Sequence, residues 1–233
     1  MIDGNVIAYE VPLSDHGAVV IKFAFLIHEW DDQLNQIVEE DLVLEDTSHC
    51  TADLTIKPRD LPRPRPGHES NSNGGPYQTL VFEVGTTEAV SSLHDLSARY
   101  FSPQTTIQIY IAIKLYPIRQ DNTRAMFAMR YLRTNQHPTV LDVVISFGTA
   151  PLHQSVIGYL LNDMSVPDAN ITGVGRSDDA IACNGPSIPD YQLNIPAAEL
   201  YNGSLNGIPP NAVDGFDLDL WEIQRKALNP HYY

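Results

Sequence analysis

The chain has 233 residues, two cysteines and a formal net charge of −15 at pH 7, which suits one well-buried domain and disfavours a protein built throughout to grip a phosphate backbone. Cys50 and Cys183 cannot make a disulfide framework, and Met1-Ile-Asp-Gly-Asn5 has no basic leader, so a reducing intracellular compartment, cytoplasmic or nuclear, is expected. The longest nearly apolar run, Gly17 to Ile27, contains Lys22 and falls short of the roughly 20 residues a bilayer requires, so no membrane association is expected.

Taken in order, Asn5 to Val11 reads as a short strand or extended lead-in. Ser14 and Asp15 are residues that cap helices, and the run Gly17 to Trp30 has apolar residues at nearly every position, which predicts a mostly buried helix. His16, in its first turn, reads as a capping or core residue rather than a catalytic one. Residues 36–44 contain a strand among solvated acids. Asp53 to Lys57 is the next strand, with Asp53, Thr55 and Lys57 on one face by period two, and Pro58 stops it.

The connection from Pro58 to Tyr77 is rich in Pro, then in Ser, Asn and Gly, which predicts an extended loop. It carries Arg59, Arg63 and Arg65. Residues 57–133 hold ten lysines and arginines against six acids, whereas residues 1–56 hold one lysine against twelve acids, and residues 134–233 three basic residues against eleven acids. The basic stretch is either a solvated loop with some arginines or a local anion site inside an acidic protein.

Thr79 to Val84 is the central strand, with Glu83 on the same face as Val81 and Gly85. An ionised carboxylate in an apolar strand is costly unless a metal, a cation or several hydrogen bonds meet it. Our expectation is that the strands of Asp53 and Glu83 lie side by side and bring the two acids together. Residues 88–101 read as a helix with Ala89, Leu93, Leu96 and Tyr100 as its apolar stripe; Asp95 and Arg99, four apart, are neighbours on its surface. Thr106 to Tyr116 is a clear β-branched strand, and 124–133 and 139–147 are two more, ending in a turn at Gly148. Periodicity then fades: residues 162–216 read as loops with short elements, and Phe216 to Leu228 as a closing strand or helix. The division expected is a core over residues 1–150 and a C-terminal extension, 151–233, packed on the same domain.

The commoner catalytic motifs are missing. His28-Glu-Trp-Asp-Asp32 lacks the second His of a zinc-protease helix, and Ile171-Thr-Gly-Val-Gly-Arg-Ser177 lacks the third Gly of a dinucleotide fingerprint. There is no Gly-x-Ser-x-Gly elbow and no zinc-type spacing of His and Cys.

What remains is Asp53, then Glu83 in an apolar strand, then a helix and a strong strand. With Asp15-His-Gly17, Ala52-Asp-Leu-Thr-Ile-Lys-Pro58, Leu80-Val-Phe-Glu-Val-Gly85, Leu93-His-Asp-Leu-Ser-Ala-Arg-Tyr100 and Ile111-Ala-Ile-Lys114, this order resembles the PD-(D/E)XK, restriction-endonuclease-like superfamily, nearest its Uma-type branch and fungal relatives, over roughly residues 9–116. In the tail, Ile145-Ser-Phe-Gly148 and Tyr191-Gln-Leu-Asn-Ile-Pro196 look like fungal members of the group.

The resemblance implies an α/β fold, with a mixed central sheet flanked by helices and extra C-terminal strands and loops. It implies Mg²⁺ (or Mn²⁺) held by Asp53 and Glu83, where the ion would neutralise a scissile phosphate and supply the attacking hydroxide. The family's lysine two residues past the Glu is replaced by Gly85. The substitutes are Arg99, four after Asp95, which can clamp phosphate but not act as a base, and Lys57 on the Asp53 face. Arg59, Arg63 and Arg65 are candidate phosphate contacts. Ala52 stands where the family has Pro. Three readings follow: a divalent-metal-dependent endonuclease acting on nucleic acid, with a homodimer left open; a catalytically degenerate scaffold that binds a protein or nucleic acid; and a structural domain in which Glu83 caps a neighbouring backbone.

Overall fold

The computed structural model describes residues 14–44, 48–71, 74–135, 137–177 and 180–230. The lead-in expected over residues 5–11 lies outside the described residues. The architecture is a mixed α/β fold with helices on both faces of a seven-stranded sheet. Its strands run in sequence order: β1 Leu34–Val43, β2 His49–Pro58, β3 Leu80–Gly85, β4 Ile109–Leu115, β5 Met126–Leu132, β6 Val143–Ser146 and β7 Ile171–Gly173. Neighbours are antiparallel except β3–β4 and β6–β7. Each parallel pair needs a long connection; helix α2 (Val90–Tyr100) supplies one and α3 (Gln154–Asn162) the other.

Central strands buried on both faces carry near-continuous apolar runs, and β3 and β4 are buried at every position. Leu54, Ile56, Leu80, Phe82, Val84, Ile111 and Ile113 point to one face, where α1 (Ser14–Trp30) packs through Val19, Phe23 and Ile27. The same cluster takes in the two-stranded antiparallel sheet of β8 (Gln192–Ile195) and β9 (Phe216–Asp219), the short α4 (Ala197–Leu200) between them, and α5 (Leu220–Leu228). Val81, Tyr110, Ala112, Phe127 and Met129 point the other way, under α2 and α3. Residues far along the chain therefore share one core with α1.

Three expectations change. The helix over Gly17–Trp30 forms but is not mostly buried: Ile21 and Phe25 are 66% and 50% exposed, because a helix against a sheet buries one stripe and this one carries more apolar residues than the stripe holds. Residues 216–228 are a strand and then a helix, divided where Asp219 caps the helix by accepting from the Trp221 N–H at 3.0 Å. Helix α3 was not anticipated. His153 Nδ1 caps it by accepting from the Ser155 N–H, and it buries Ile157 and Leu160. The turn at Gly148 has a steric reason: a Cβ there would sit 2.3 Å from the Arg124 carbonyl oxygen. No helix among the described residues is long and apolar enough to cross a membrane.

Candidate functional site

The antiparallel pairing of β2 with β3 ends at Leu54 opposite Phe82, so β2 diverges at Asp53. The Val84 N–H, which a paired strand would have satisfied, is taken by Asp53 Oδ2 at 2.7 Å. That bond holds the Asp53 carboxylate against β3 at the level of Glu83. The Asp53 charge bears directly on the Glu83 carboxyl, so the two acids, thirty positions apart in sequence, are neighbours across the β2–β3 junction.

Helices from the two faces of the sheet converge on this pair. From α1, His16 Nε2 lies 3.1 Å from Asp53 Oδ2. The turn that carries His16 is tied down by its neighbour Asp15, which pairs at 2.5 Å with Arg124, only 4% exposed. Arg124 also donates to the Tyr116 and Ala227 carbonyls, joining the first turn of α1 to the residue after β4 and to the end of α5. From α2, the Tyr100 hydroxyl donates to Glu83 Oε1 and lies 3.3 Å from Cys50 Sγ. Tyr100 is fully buried and its ring packs tilted against Tyr110, with centroids 5.2 Å apart.

The electrostatics follow from this arrangement. Glu83 is 8% exposed. Burial first, and then the charge on Asp53, push its carboxyl well above the ordinary glutamate range, against the opposing pull of the Tyr100 hydrogen bond. Burial also raises the Cys50 thiol and, together with the Glu83 charge, the Tyr100 phenol. Cys50 is therefore not an activated thiolate.

The other predicted residues are placed elsewhere. Lys57 is on β2, four residues and roughly 13 Å of strand beyond Asp53. It belongs to a second buried acid, Glu40, and donates to the Pro76 carbonyl; burial lowers its pKa and the Glu40 charge opposes that. Arg99 is exposed and reaches the His49 carbonyl at 3.5 Å, at the rim of the Cys50 side of the site. No ion pair joins it to Asp95 among the described residues. Arg59 lines a small cleft with Gln33 and Tyr201. Arg63 and Arg65 line a different pocket, near Thr79 at the start of β3, whereas Glu83 lies four residues further along that strand, again roughly 13 Å away. The structure thus brings Asp53 and Glu83 together and leaves the loop arginines and Lys57 outside the pair.

Two oxygen-bearing acids suit Mg²⁺, which needs only one or two carboxylates and keeps several waters. A divalent cation would also relieve the repulsion that raises Glu83. Among the described residues no group of three or more His, Cys, Asp and Glu side chains is set to hold a metal, so a closed zinc-type site is not formed. The position two residues past Glu83 is crowded as well: a Cβ on Gly85 would lie 2.7 Å from Leu93 Cδ1 and 3.2 Å from Glu88 Oε2.

Sequence reasoning treated Tyr100 as part of an apolar stripe and His16 as a cap or core residue, and gave Cys50 no part in the site. For Tyr100 the available signal was a phenol where a Leu or Phe would complete the stripe, since a buried hydroxyl needs a partner.

No protein-family model matches the chain, and a search of curated proteins returns no significant match. Among solved structures, a candidate nuclease belonging to DUF820 from Anabaena variabilis is similar over 58% of this chain and 72% of its own, at 12% identity and a TM-score of 0.39. That likeness assigns no residue a role.

Proposed function

We propose that this chain is a restriction-endonuclease-like protein, nearest the Uma-type branch, in which Asp53 and Glu83 hold one Mg²⁺ or Mn²⁺ ion for hydrolysis of a nucleic-acid phosphodiester. The observation that carries the reading is the meeting of the two carboxyls across the β2–β3 junction, one of them costly to ionise beside the other. When bound, the ion would supply charge neutralisation at the phosphate and a water acidic enough to attack. The chain's own residues fix the geometry. The Val84 N–H and His16 orient Asp53, Tyr100 orients Glu83, and Arg99 stands at the rim within reach of an approaching strand.

A second reading, a degenerate scaffold that binds without cutting, is favoured by one specific feature. Gly85 has no side chain, and neither candidate substitute for the missing lysine does its work: Lys57 lies near Glu40 and donates to the Pro76 carbonyl, and Arg99 cannot take a proton. Titration calorimetry with Mn²⁺ on the wild type, Asp53→Asn and Glu83→Gln, run beside cleavage of single- and double-stranded DNA and RNA, separates the two. Metal binding lost in both variants, with cleavage lost in parallel, supports the nuclease. Metal binding without cleavage supports the scaffold. Absence of any Mn²⁺ binding by the wild type refutes the shared-cation premise of the nuclease.

A further inference from the structure

We propose a second ligand site, separate from the acid pair and not resting on the nuclease reading: a pocket between the arginine loop and the β3–β4 strand ends that takes a nucleotide. The pocket has a volume of about 400 Å³, within the range of roughly 300–1,000 Å³ usual for small-molecule sites. In a chain with 29 acids, no acid lines it. Its exposed rim carries Arg63, Arg65 and His68. Neither arginine enters an ion pair among the described residues, so both present guanidinium forks suited to bidentate contact with a phosphate. Of the acids that flank them in sequence, Asp60 accepts from Ser204 Oγ and the Asn206 N–H, and Glu69 accepts from the Gly67 N–H at 2.7 Å.

The interior has a different character. Pro62, Pro64 and Pro76 offer flat apolar walls, and the Tyr77 ring closes the floor with its hydroxyl donated to the Val43 carbonyl. Gln104, Thr106 and Asn202 put amide and hydroxyl groups, both donors and acceptors, at the edge. An apolar slot with a polar edge and two cations at its mouth fits a planar heterocycle bearing a phosphate. Inorganic phosphate would use the rim and leave the slot empty.

The walls are fixed before any ligand arrives. Asp60 accepts from Ser204 Oγ at 2.9 Å and from the Asn206 N–H at 2.7 Å, holding the turn that contains Asn202 against the start of the loop. At the other end, buried Glu40 accepts from Thr55 Oγ1 at 2.6 Å, from Asn71 Nδ2 at 2.8 Å and from Gln78, fixing the chain on either side of Pro76. A prearranged pocket loses less entropy on binding.

The test is titration calorimetry of the full chain in EDTA, so that the outcome is independent of the metal reading, with three probes: AMP, inorganic phosphate and a short oligo(dT). The expectation is saturable AMP binding, about tenfold or more weaker in the Arg63→Ala/Arg65→Ala double variant and abolished in Gln104→Trp, which fills the slot from an exposed position. Asp53→Asn and Glu83→Gln bind AMP as the wild type does. Oligo(dT) binding tighter than AMP assigns the nucleotide to a strand, and weaker binding assigns it to a free nucleotide; either supports the site. No saturable AMP binding, equal affinity for phosphate and AMP, or AMP affinity unchanged in both pocket variants overturns it.

Discussion

Replacing Tyr100 with Phe isolates one hydroxyl at the centre of the candidate site. The ring is fully buried and packs tilted against Tyr110 at 5.2 Å, so Phe keeps the packing and opens no void larger than one oxygen. What is lost is the donor to Glu83 Oε1 and the partner of Cys50 Sγ. Leaving a buried acceptor unmet costs about 1–3 kcal/mol, and for a chain of this length each kcal/mol lowers Tm by roughly 2–4 °C, giving a fall of roughly 2–12 °C. The cost should be larger above neutral pH than at pH 5, because a hydrogen bond to an ionised carboxylate is stronger than one to a neutral carboxyl. Urea denaturation followed by the fluorescence of Trp30 and Trp221 measures it, and a cycle with Glu83→Ala apportions it. The double variant removes both partners, so a coupling of about 0.5–3 kcal/mol is expected. A Tyr100→Phe cost that is the same with and without Glu83 would refute the claim that this hydroxyl acts by holding the carboxyl.

Other outcomes follow from the same geometry. Glu83 titrates above its ordinary 4.5 in the folded chain, so the native state keeps a proton that the unfolded state gives up. Its stabilisation is complete below about pH 4.5 and is lost as pH rises through the native value. Glu83→Gln should therefore gain stability relative to the wild type as pH rises, and stability curves that stay parallel between pH 4 and pH 8 would contradict this. Gly85→Ala should cost about 1–3 kcal/mol through overpacking, because the new Cβ meets Leu93, itself 3% exposed in the core. A cost below about 0.5 kcal/mol in chemical denaturation would show that Leu93 yields freely and that a longer side chain could be placed there.

Much of the sheet was legible because β-branched runs such as Thr106–Tyr116 fit a strand whatever surrounds them. The order Asp53, Glu83, helix, strand was legible too, and the energetic oddity of an acid inside Leu80–Gly85 marked the site before any coordinates. Helix α3 was not, since Val156, Ile157 and Gly158 are weak helix formers and its stability comes from burying Ile157 and Leu160 against the sheet. Nor was the exposure of Ile21 and Phe25, because hydropathy records what a residue prefers and not how much of a helix its neighbours cover.

Local pattern therefore determined the strands, the acid pair as a candidate and the basic loop as an anomaly in an acidic chain. Only the tertiary structure decided which charges share a site. β2 parts from β3 at Asp53, which turns that carboxylate onto the Val84 N–H beside Glu83, while the same strand carries Lys57 away to Glu40. Arg63 and Arg65 of the loop lie at the opposite end of β3, around a pocket of their own. Period two says which face a residue occupies, but position along the strand, at about 3.3 Å per residue, sets whether two groups on that face can touch.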